Sequence, residues 1–194
     1  MTCDDLNRFK NIKPLYTERL TLRKMQRSDV SDVYKYASDG RVTRYLLWNP
    51  HLTLGDTKRY LSYIERKYKK GEFYDWGIEY LGHIVGTCGF TSFSIADNSA
   101  EIGYVLGSDF WGRGIAAEAL KRVIEYGFCE LGLNRIEGRF MSENERSLSV
   151  MKKCGMSLEG ICKSKIYVKG KYRDIGICAI TRAEYDNFVK LGTF

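Results

Sequence analysis

The hydrophobic pattern of the 194 residues predicts an α/β fold, in which one mixed sheet carries helices on both faces. Alternating apolar residues mark strands, and apolar residues at helical spacing mark the helices. The two kinds of segment follow one another in the order β-α-α-β-β-β-α-β-α-β-β. The strand–helix–strand unit in the middle is expected to be a right-handed parallel crossover.

The first part of the chain predicts one strand followed by two helices. Alternating leucines indicate a strand over 17–25. Ser28-Asp29 then offers polar side chains that cap helices, and apolar residues recur at helical spacing from 30 to 37. A second helix is expected over 54–70, because its apolar residues share one face and Gly71 is a typical helix end.

The remainder of the chain alternates strands with helices. Gly82 marks the tight turn of a hairpin, 97–99 form another turn, and Gly170 marks a closing hairpin. The predicted strands are 73–80, 83–93, 101–106, 135–140, 156–168 and 172–180, and the predicted helices are 114–131, 144–153 and 182–191.

The composition is that of one soluble globular domain. Apolar residues make up 44% of the chain, which is enough for one core, and the 28% of charged residues does not indicate disorder. Charged side chains interrupt residues 1–13. Neither a signal peptide nor a membrane span is expected there, so the protein is expected to be cytoplasmic and without a membrane partner.

The cysteine pattern argues against a metal site. The sequence has only His51 and His83 as histidines, and no Cys-x-x-Cys pair, which zinc sites usually contain. A disulfide framework is not expected in a chain of this length without an export signal. Most cysteines are expected to be reduced and buried: Cys3, Cys88, Cys129, Cys154, Cys162 and Cys178.

The net charge of +7 favours an anionic partner, such as a polyphosphate cofactor, RNA or an acidic surface. Many of the positive charges lie within 58–70, where the solvated face of a helix explains them. No aromatic stripe is interleaved with them, so no specific nucleic-acid partner is expected. A basic RNA-binding protein is a rival that explains the charge less economically than a local anion site.

The sharpest signal is the segment 110–119, which reads Phe-Trp-Gly-Arg-Gly-Ile-Ala-Ala-Glu-Ala and joins a strand to a long amphipathic helix. Gly112 and Gly114, followed by two alanines, let the backbone approach a ligand closely. The free N–H groups of the first helical turn and the helix dipole then favour an anion. The segment therefore predicts a pyrophosphate site.

Two other interpretations of this segment stay open. Gly112-x-Gly114-x-x-Ala117 also matches the fingerprint of dinucleotide-binding folds. That fingerprint belongs after the first strand of the fold, however, and the later strand 135–140 alternates rather than being uniformly apolar. The second alternative is a helix start with close packing and no ligand.

Four motifs together resemble the GNAT acetyltransferases: 100–106 (Ala-Glu-Ile-Gly-Tyr-Val-Leu), 111–116, Asn144-x-x-Ser147, and Cys154-Gly155-Met156. The chain is most similar to the branch of ribosomal-protein alanine and serine N-terminal acetyltransferases. Segments 17–23 and 170–174 fit the same branch, and the resemblance covers about residues 15–183. The general family has Gln or Arg where this chain has Trp111, but this branch commonly has Trp.

The resemblance implies a single-domain GNAT fold whose central sheet splays at the cofactor site. It implies an N-terminal extension over 1–14, the acetyltransferase domain over 15–187 and a C-terminal tail over 188–194. Acetyl-CoA is the implied cosubstrate, with its pyrophosphate on the glycine segment and its pantetheine arm in the splay. The implied cofactor-binding residues are Tyr104, Val105, Leu106, Gly112, Arg113, Gly114, Ile115, Ala116, Ala117, Asn144 and Ser147.

Acetyl transfer to an amine needs a base, because an ammonium must lose a proton before it reacts. The family often has a catalytic Glu where this chain has Glu101, whose apolar neighbours favour a raised pKa. An electrostatic role toward the substrate and a solvated, structural Glu101 are the alternatives. A backbone N–H near Val105 or Leu106 is expected to polarise the carbonyl.

The proton donor to the departing thiolate is left open. Many relatives have a Tyr where this chain has Met151, which cannot donate a proton. Ser147, Tyr104 or water are the alternatives. The acid that some close relatives use on the late strand is also missing, since its approximate place holds Ile166.

Two further polar residues have structural alternatives. Asn144 resembles the family's side-chain contact to the CoA arm, but Ser142 and Glu145 can also form a capping box, with Asn144 inside the first turn. Asp174 is expected to anchor the closing hairpin rather than to take part in chemistry.

The resemblance implies an N-acetyltransferase that uses a direct, ternary-complex transfer. The N-terminal amine of a protein, possibly a ribosomal protein, is the expected acceptor, and a small amine such as a polyamine, amino acid or antibiotic is the alternative. A non-catalytic CoA-binding or ribosome-associated module is the rival from another class. Either a monomer or a homodimer is compatible with the sequence.

Overall fold

A computed structural model describes residues 12–72 and 74–194. The first eleven residues of the predicted N-terminal extension, and position 73 at the start of a predicted strand, lie outside the described residues. The strands are β1 Leu15–Tyr16, β2 Thr21–Arg23, β3 Tyr74–Tyr80, β4 His83–Ser94, β5 Ser99–Leu106, β6 Arg135–Met141, β7 Ser157–Val168 and β8 Lys171–Thr181. The helices are α1 Val30–Ala37, α2 Gly40–Thr43, α3 Leu54–Lys70, α4 Ile115–Cys129, α5 Glu145–Lys153 and α6 Arg182–Lys190, with 3₁₀ turns at Arg27–Asp29 and Ser108–Phe110.

The eight strands form one open sheet in the order β1-β2-β3-β4-β5-β6-β8-β7. The pair β5–β6 is parallel, and the other neighbouring pairs are antiparallel. Helix α4 connects the two parallel strands, as the predicted crossover requires. The mixed α/β sheet expected from the sequence is therefore confirmed.

Helices cover both faces of the sheet, and two adjacent residues of β3 show this. The ring of Trp76 meets the ring of Tyr126 in α4 at a centroid distance of 5.4 Å. Asp75 points to the opposite face, where it lines a cavity together with Tyr36 of α1 and Tyr60 of α3. The face with Trp76 is here called the α4 side, and the face with Asp75 the α3 side.

The sheet splays between β5 and β6. Their parallel pairing runs from Ser99↔Arg135 to Ile102↔Gly138. Beyond that point, β5 continues to pair with β4 and β6 continues to pair with β8. Among the described residues, the edges of 103–106 and 139–141 that face each other therefore have no strand partner, and a gap opens between them. This gap is the splay that the resemblance implied.

The hairpins and the long helix agree with the sequence. Leu81 and Gly82 have φ angles of 51° and 80°, and Lys169 and Gly170 have φ angles of 51° and 80°, which suit two-residue turns between strands. Helix α3 spans the predicted residues and ends at Gly71, whose φ is 67°. These turns were predictable because they depend on local chemistry.

The prediction of one strand over 17–25 is wrong. The structure has two short antiparallel strands, β1 and β2, with a turn between them. The backbone N–H of Thr17 donates to the carbonyl oxygen of Leu20, and the N–H of Leu20 donates to the Thr17 hydroxyl at 3.0 Å. This reciprocal pair closes the turn and interrupts the extended chain.

The cysteines of the described part of the chain are all free thiols, with Cys88, Cys154 and Cys178 buried and Cys129 exposed. Cys3 lies outside the described residues. Across 12–72 and 74–194, no helix has both the length and the apolar character needed to cross a membrane.

Candidate active site

A cavity of about 1630 Å³ passes through the splay and opens onto both faces of the sheet. On the α4 side it is lined by the end of β5, the start of α4 and much of α5. On the α3 side it is lined by α1, the segment from α2 to His51, and parts of β3, β4 and β7. The cavity is large enough for a cofactor and a second substrate to meet at the gap between β5 and β6.

The start of α4 has the backbone form of an anion site. Gly112 and Gly114 both have a φ of 77°, which favours glycine because it has no Cβ. Gly114 is the N-cap of α4, and it provides no side chain to occupy the free N–H groups of the first turn. These N–H groups belong to residues that line the cavity, so the positive end of the helix dipole is directed at a ligand there.

Arg19 and Thr17 hold this loop in place from the turn between β1 and β2. The Thr17 hydroxyl donates to Oε1 of Glu118 at 2.6 Å, and Nε of Arg19 donates to Oε2 at 2.7 Å. Nη1 of Arg19 also donates to the carbonyl oxygen of Arg113 at 3.1 Å. The first turn of α4 is therefore fixed by contacts almost 100 residues away in the sequence.

The structure brings nearly all of the predicted site residues to this one cavity. Arg113 is the exception: its guanidinium lies over the ring of Phe110 at 5.7 Å, and the residue is not part of the lining. The predicted residues that line the cavity are Glu101, Tyr104, Val105, Leu106, Gly112, Gly114, Ile115, Ala116, Ala117, Asn144 and Ser147.

Asn144 is itself the N-cap of α5, because its side-chain oxygen accepts the backbone N–H of Ser147 at 3.2 Å. The alternative of a capping box between Ser142 and Glu145 is therefore wrong, since the helix starts two residues later than that box requires. The Tyr104 hydroxyl lies 2.8 Å from the Ser147 hydroxyl and donates to the Ser147 carbonyl at 2.9 Å. Burial raises the pKa of Tyr104, which keeps it protonated.

Met151, which stands where many relatives have a Tyr, is buried on the α4 side. A Cβ added to Gly138 would lie 2.8 Å from the methyl carbon of Met151. Gly138 makes the last parallel pair before the splay. Met151 therefore packs directly against the backbone at the point where the two strands separate.

The α4 side fits a polyphosphate cofactor such as acetyl-CoA. Its free helix N-terminus is accompanied by basic side chains of α5, since Arg146 and Lys153 also line the cavity. The guanidinium of Arg146 stacks over the ring of Trp111 at 4.6 Å. Nε1 of Trp111 in turn donates to the carbonyl of Leu106 at 2.8 Å, so the tryptophan joins the end of β5 to the glycine segment.

Glu101 lies on the α3 side, one residue before the last parallel pair. Its side chain is 25% exposed, and Nε of Arg139 on β6 lies 3.3 Å from its Oε2. Burial raises the pKa of Glu101, and the positive charge of Arg139 opposes this shift. Arg139 was not predicted as a site residue from the sequence. Its position on β6, directly after the last residue paired with β5, would have placed it at the site. The pair leaves a half-buried carboxylate beside the gap.

Asp75 is a second acidic residue on the α3 side that sequence reasoning missed. Its Oδ1 is buried and has no hydrogen-bond partner among the residues that the structure describes. Burial raises the pKa of Asp75 from 3.8 to about 7, while a hydrogen bond from Thr87 opposes the shift. Among these same residues, no cluster of His, Cys, Asp and Glu has the grouping needed to hold a metal ion.

An open mixed sheet that splays beside a glycine-rich helix N-terminus defines a class of acyl-CoA-binding transferases. The family profile described as the acetyltransferase (GNAT) domain matches residues 19–157. The chain is 34% identical over 176 residues to an uncharacterized N-acetyltransferase, p20, of Bacillus licheniformis, covering 90% of this chain and 99% of that protein. This chain belongs to the GNAT family and is an N-acetyltransferase.

Three further acetyltransferases are similar to this chain, and two of them bear the names of different acceptors. The chain is 25% identical over 169 residues to the spermidine N(1)-acetyltransferase of Escherichia coli K12, covering 84% of this chain and 87% of that protein. A GNAT-family acetyltransferase from Bacillus anthracis superposes with a TM-score of 0.79 at 29% identity, covering 88% and 99% of the two chains. The ribosomal L7/L12 α-N-protein acetyltransferase RimL, in complex with coenzyme A, superposes with a TM-score of 0.77 at 21% identity, covering 87% and 98%.

Proposed function

We propose that this chain acetylates a primary amine that enters the cavity from the α3 side, with Glu101 as the base that takes up the proton of the amine. The observation that carries the proposal is the position of Glu101, half-buried on the α3 side and beside the end of the β5–β6 pairing. An acceptor ammonium has to lose a proton before its nitrogen can react. Arg139 favours the ionised form of Glu101, which is the form that accepts this proton.

Acetyl-CoA supplies an activated acetyl thioester. Backbone N–H groups at 115–117 would hold its pyrophosphate, and the unpaired edge of β5 at Val105 and Leu106 would hold its arm and polarise the acetyl carbonyl. The side-chain oxygen of Asn144 caps α5, and its amide NH2 group would be the part of the side chain that contacts the arm. Overall, the amine loses one proton and gains the acetyl group, while the sulfur gains one proton.

The first candidate acceptor is the N-terminal amine of a protein, of the ribosomal type. Support comes from the sequence motifs of that branch and from a relative named as a ribosomal N-acetyltransferase, YdaF of Bacillus subtilis. A chain terminus is narrow, and it can reach the splay from the α3 side without the rest of the protein entering the cavity. Cytoplasmic ribosomal proteins would then be the partners.

The second candidate is a small amine, and the walls of the α3 side favour it. Nζ of Lys169, at the tip of the β7–β8 hairpin, donates to the carbonyl of Thr43 in α2 at 2.6 Å. This contact ties together two segments that flank the α3 side, so the cavity is walled rather than an open groove. A walled cavity suits an acceptor that is enclosed completely.

The test is the release of free CoA thiol across a panel of peptides and small amines. Peptides that begin with Ala or Ser and small mono-, di- and polyamines should be included, with N-acetylated versions as blanks. Turnover with at least one primary amine is expected, and the favoured class separates the two candidates. If CoA binds but no amine in the panel is acetylated, a non-catalytic CoA-binding module becomes the better interpretation.

A further inference from the structure

Asp75 lines the cavity and has one carboxylate oxygen without a hydrogen-bond partner among the described residues. The residue lies on β3 and lines the α3 side, and its Oδ1 is buried without a partner among the described residues. Leaving a buried acceptor unpaired usually costs folding free energy. Natural proteins keep such a group where a ligand, an ion or a water satisfies it. The carboxylate therefore indicates a missing donor.

The donor that fits best is a cation. Among residues 12–72 and 74–194, no ion pair includes Asp75, so the fold does not itself supply a positive charge there. Thr87 is a neutral donor to this carboxyl group. The hydroxyl of Tyr68 is directed at the Asp75 carbonyl oxygen, at 2.6 Å, and not at the carboxyl group.

Aromatic rings line the same side of the cavity. The rings of Trp48 and His51 have centroids 5.6 Å apart, and those of His51 and Tyr60 are 5.9 Å apart. Burial lowers the pKa of His51, which keeps this ring uncharged near neutral pH. A carboxylate beside aromatic faces is a chemical environment that recognises ammonium groups.

The register of the sheet connects Asp75 to the splay. Asp75 is paired with Gly89 on β4, and Gly89 is paired with Gly103 on β5, so these three residues form one row across the α3 side. A Cβ at Gly89 would clash with the carbonyl oxygen of Tyr74 and would lie 2.9 Å from Oδ1 of Asp75, so the absence of a side chain there leaves room for both the β3 backbone and the carboxylate. Gly103 is the first residue of β5 beyond the parallel pairing.

We propose that Asp75 binds the second ammonium of a short diamine or polyamine whose first amine is acetylated at the splay. This inference rests on the proposed function, because it takes the splay beside Glu101 as the place of reaction. Asp75 and Gly103 are two strand spacings apart, which is about 10 Å. The hydrogen bond from the second ammonium to Asp75 takes up about 3 Å of this distance. The remainder leaves room for about four or five methylene groups between the two nitrogens. Asp75 is thus a positioning residue for the acceptor.

The experiment compares diaminobutane with butylamine, which differ by one amino group, in the wild-type enzyme and in Asp75→Asn. The wild type should have a KM for diaminobutane roughly 10- to 100-fold below that for butylamine, as expected for one charge-assisted hydrogen bond. Asp75→Asn should remove this difference by raising the KM for diaminobutane, with kcat kept within about threefold. Asp32→Asn is the matched control, because Asp32 contacts His83 and the Ile84 N–H away from the cavity, and it should leave the KM ratio intact.

A binding measurement separates this inference from the proposed function. Diaminobutane is titrated calorimetrically into protein saturated with CoA, for the wild type, Asp75→Asn and Asp32→Asn. Binding that is lost only in Asp75→Asn supports the inference even if no amine is acetylated, a result that would reject the proposed function instead. Equal binding by the wild type and Asp75→Asn, no binding by the wild type, or equal KM values for the two amines would each overturn the role of Asp75.

Discussion

The two sides of the cavity are built from different parts of the chain and by different means. The α4 side consists largely of backbone: two glycines at a φ of 77°, the free first turn of α4 and the unpaired edge of β5. The α3 side consists of side chains from separate elements, among them Tyr36, Asp75 and Glu101. A cofactor common to a whole family can be held by backbone, whereas an acceptor has to be selected by side chains.

This difference predicts opposite responses to mutation. On the α4 side, adding a Cβ should do more damage than removing a side chain. On the α3 side, removing a single charge should be enough to change the enzyme. Substitutions at Gly114, Glu101, Asp75 and Tyr104 test this contrast.

Gly114→Val should abolish the stabilisation of the protein by acetyl-CoA. A Cβ at this position would have 3.5 Å to its nearest neighbour, Nη2 of Arg19, so the folded protein has space for it and the backbone would carry the strain. The side chain would, however, stand where the phosphates approach the helix N-terminus. Acetyl-CoA at about 100 times its Kd should stabilise the wild type by about 2.7 kcal/mol, whereas NAD should give no stabilisation. Thermal shift or urea unfolding measures both effects.

Two controls make this result specific to the phosphate site. Gly132 has a φ of 68° and no neighbouring atom within 4 Å of an added Cβ, so Gly132→Val imposes similar backbone strain away from the cavity. Arg113→Ala removes a side chain that does not line the cavity and should change CoA affinity by less than about tenfold. If Gly114→Val folds and binds CoA with native affinity, the backbone at the start of α4 does not form the phosphate site.

Glu101→Gln should lower kcat by about 10²–10⁴ near neutral pH, with little change in CoA affinity. The amide keeps the shape of the side chain and cannot accept the proton. The deficit should shrink as pH rises, because more of the acceptor is then already neutral. An electrostatic role would instead raise the KM for the amine while keeping kcat.

Glu137→Gln is the matched control for the base. Glu137 is paired with Glu101 across the parallel strands and lies 3.9 Å from Arg139, but it is not part of the cavity lining. It should retain most of the wild-type kcat. Wild-type turnover by Glu101→Gln from pH 6 to 9, on an acceptor found in the panel, would leave the assignment of the base without support.

Asp75→Asn should stabilise the protein at pH 8 more than at pH 5. Because burial raises the pKa of Asp75 to about 7, the folded state binds its proton more tightly than the unfolded state, whose carboxyl titrates near 4. The folded state therefore loses stability as pH rises from about 4 through 7, by up to about 4 kcal/mol. Tyr36, Tyr60, Tyr68 and Cys88 have pKa values raised above their usual range, so they do not titrate in this interval.

Urea unfolding at the two pH values measures this effect as a difference between the variant and the wild type. The difference also cancels the contribution of His51, which is present in both proteins. We expect Asp75→Asn to be more stable than the wild type by about 2–4 kcal/mol at pH 8, and by less than half of that at pH 5. An equal gain at both values would mean that Asp75 is not a buried, titrating carboxyl group.

The contrast between the two sides also explains what the sequence could predict. The segment 110–119 encodes its own backbone shape, and the four family motifs are short and local, so the α4 side was predictable. Asp75 was not, because it alternates with Trp76 and looks like a polar residue on the solvent face of a strand. Its burial arises from tertiary packing that the strand itself does not encode, since α1 packs against α3 and β4, and Tyr36 and Tyr60 of these two helices line the same cavity.

The smallest effect is expected at Tyr104, which with Ser147 is one of the two α4-side hydroxyl groups considered as proton donors. Tyr104→Phe removes the contacts to Ser147 and should cost about 1 kcal/mol of stability. Its effect on kcat should be less than about tenfold, because the pKa of Tyr104 is raised and such a group is a poor proton donor at neutral pH. A departing thiolate needs little help, since thiols have pKa values near 8.5 and water can protonate them. Ser147→Ala keeps the bond from Tyr104 to the carbonyl of residue 147, so it should cost less stability, with an equally small change in kcat. A fall of 10² or more in kcat for Tyr104→Phe alone would identify Tyr104 as the proton donor. The α4 side would then act through a side chain as well as through its backbone.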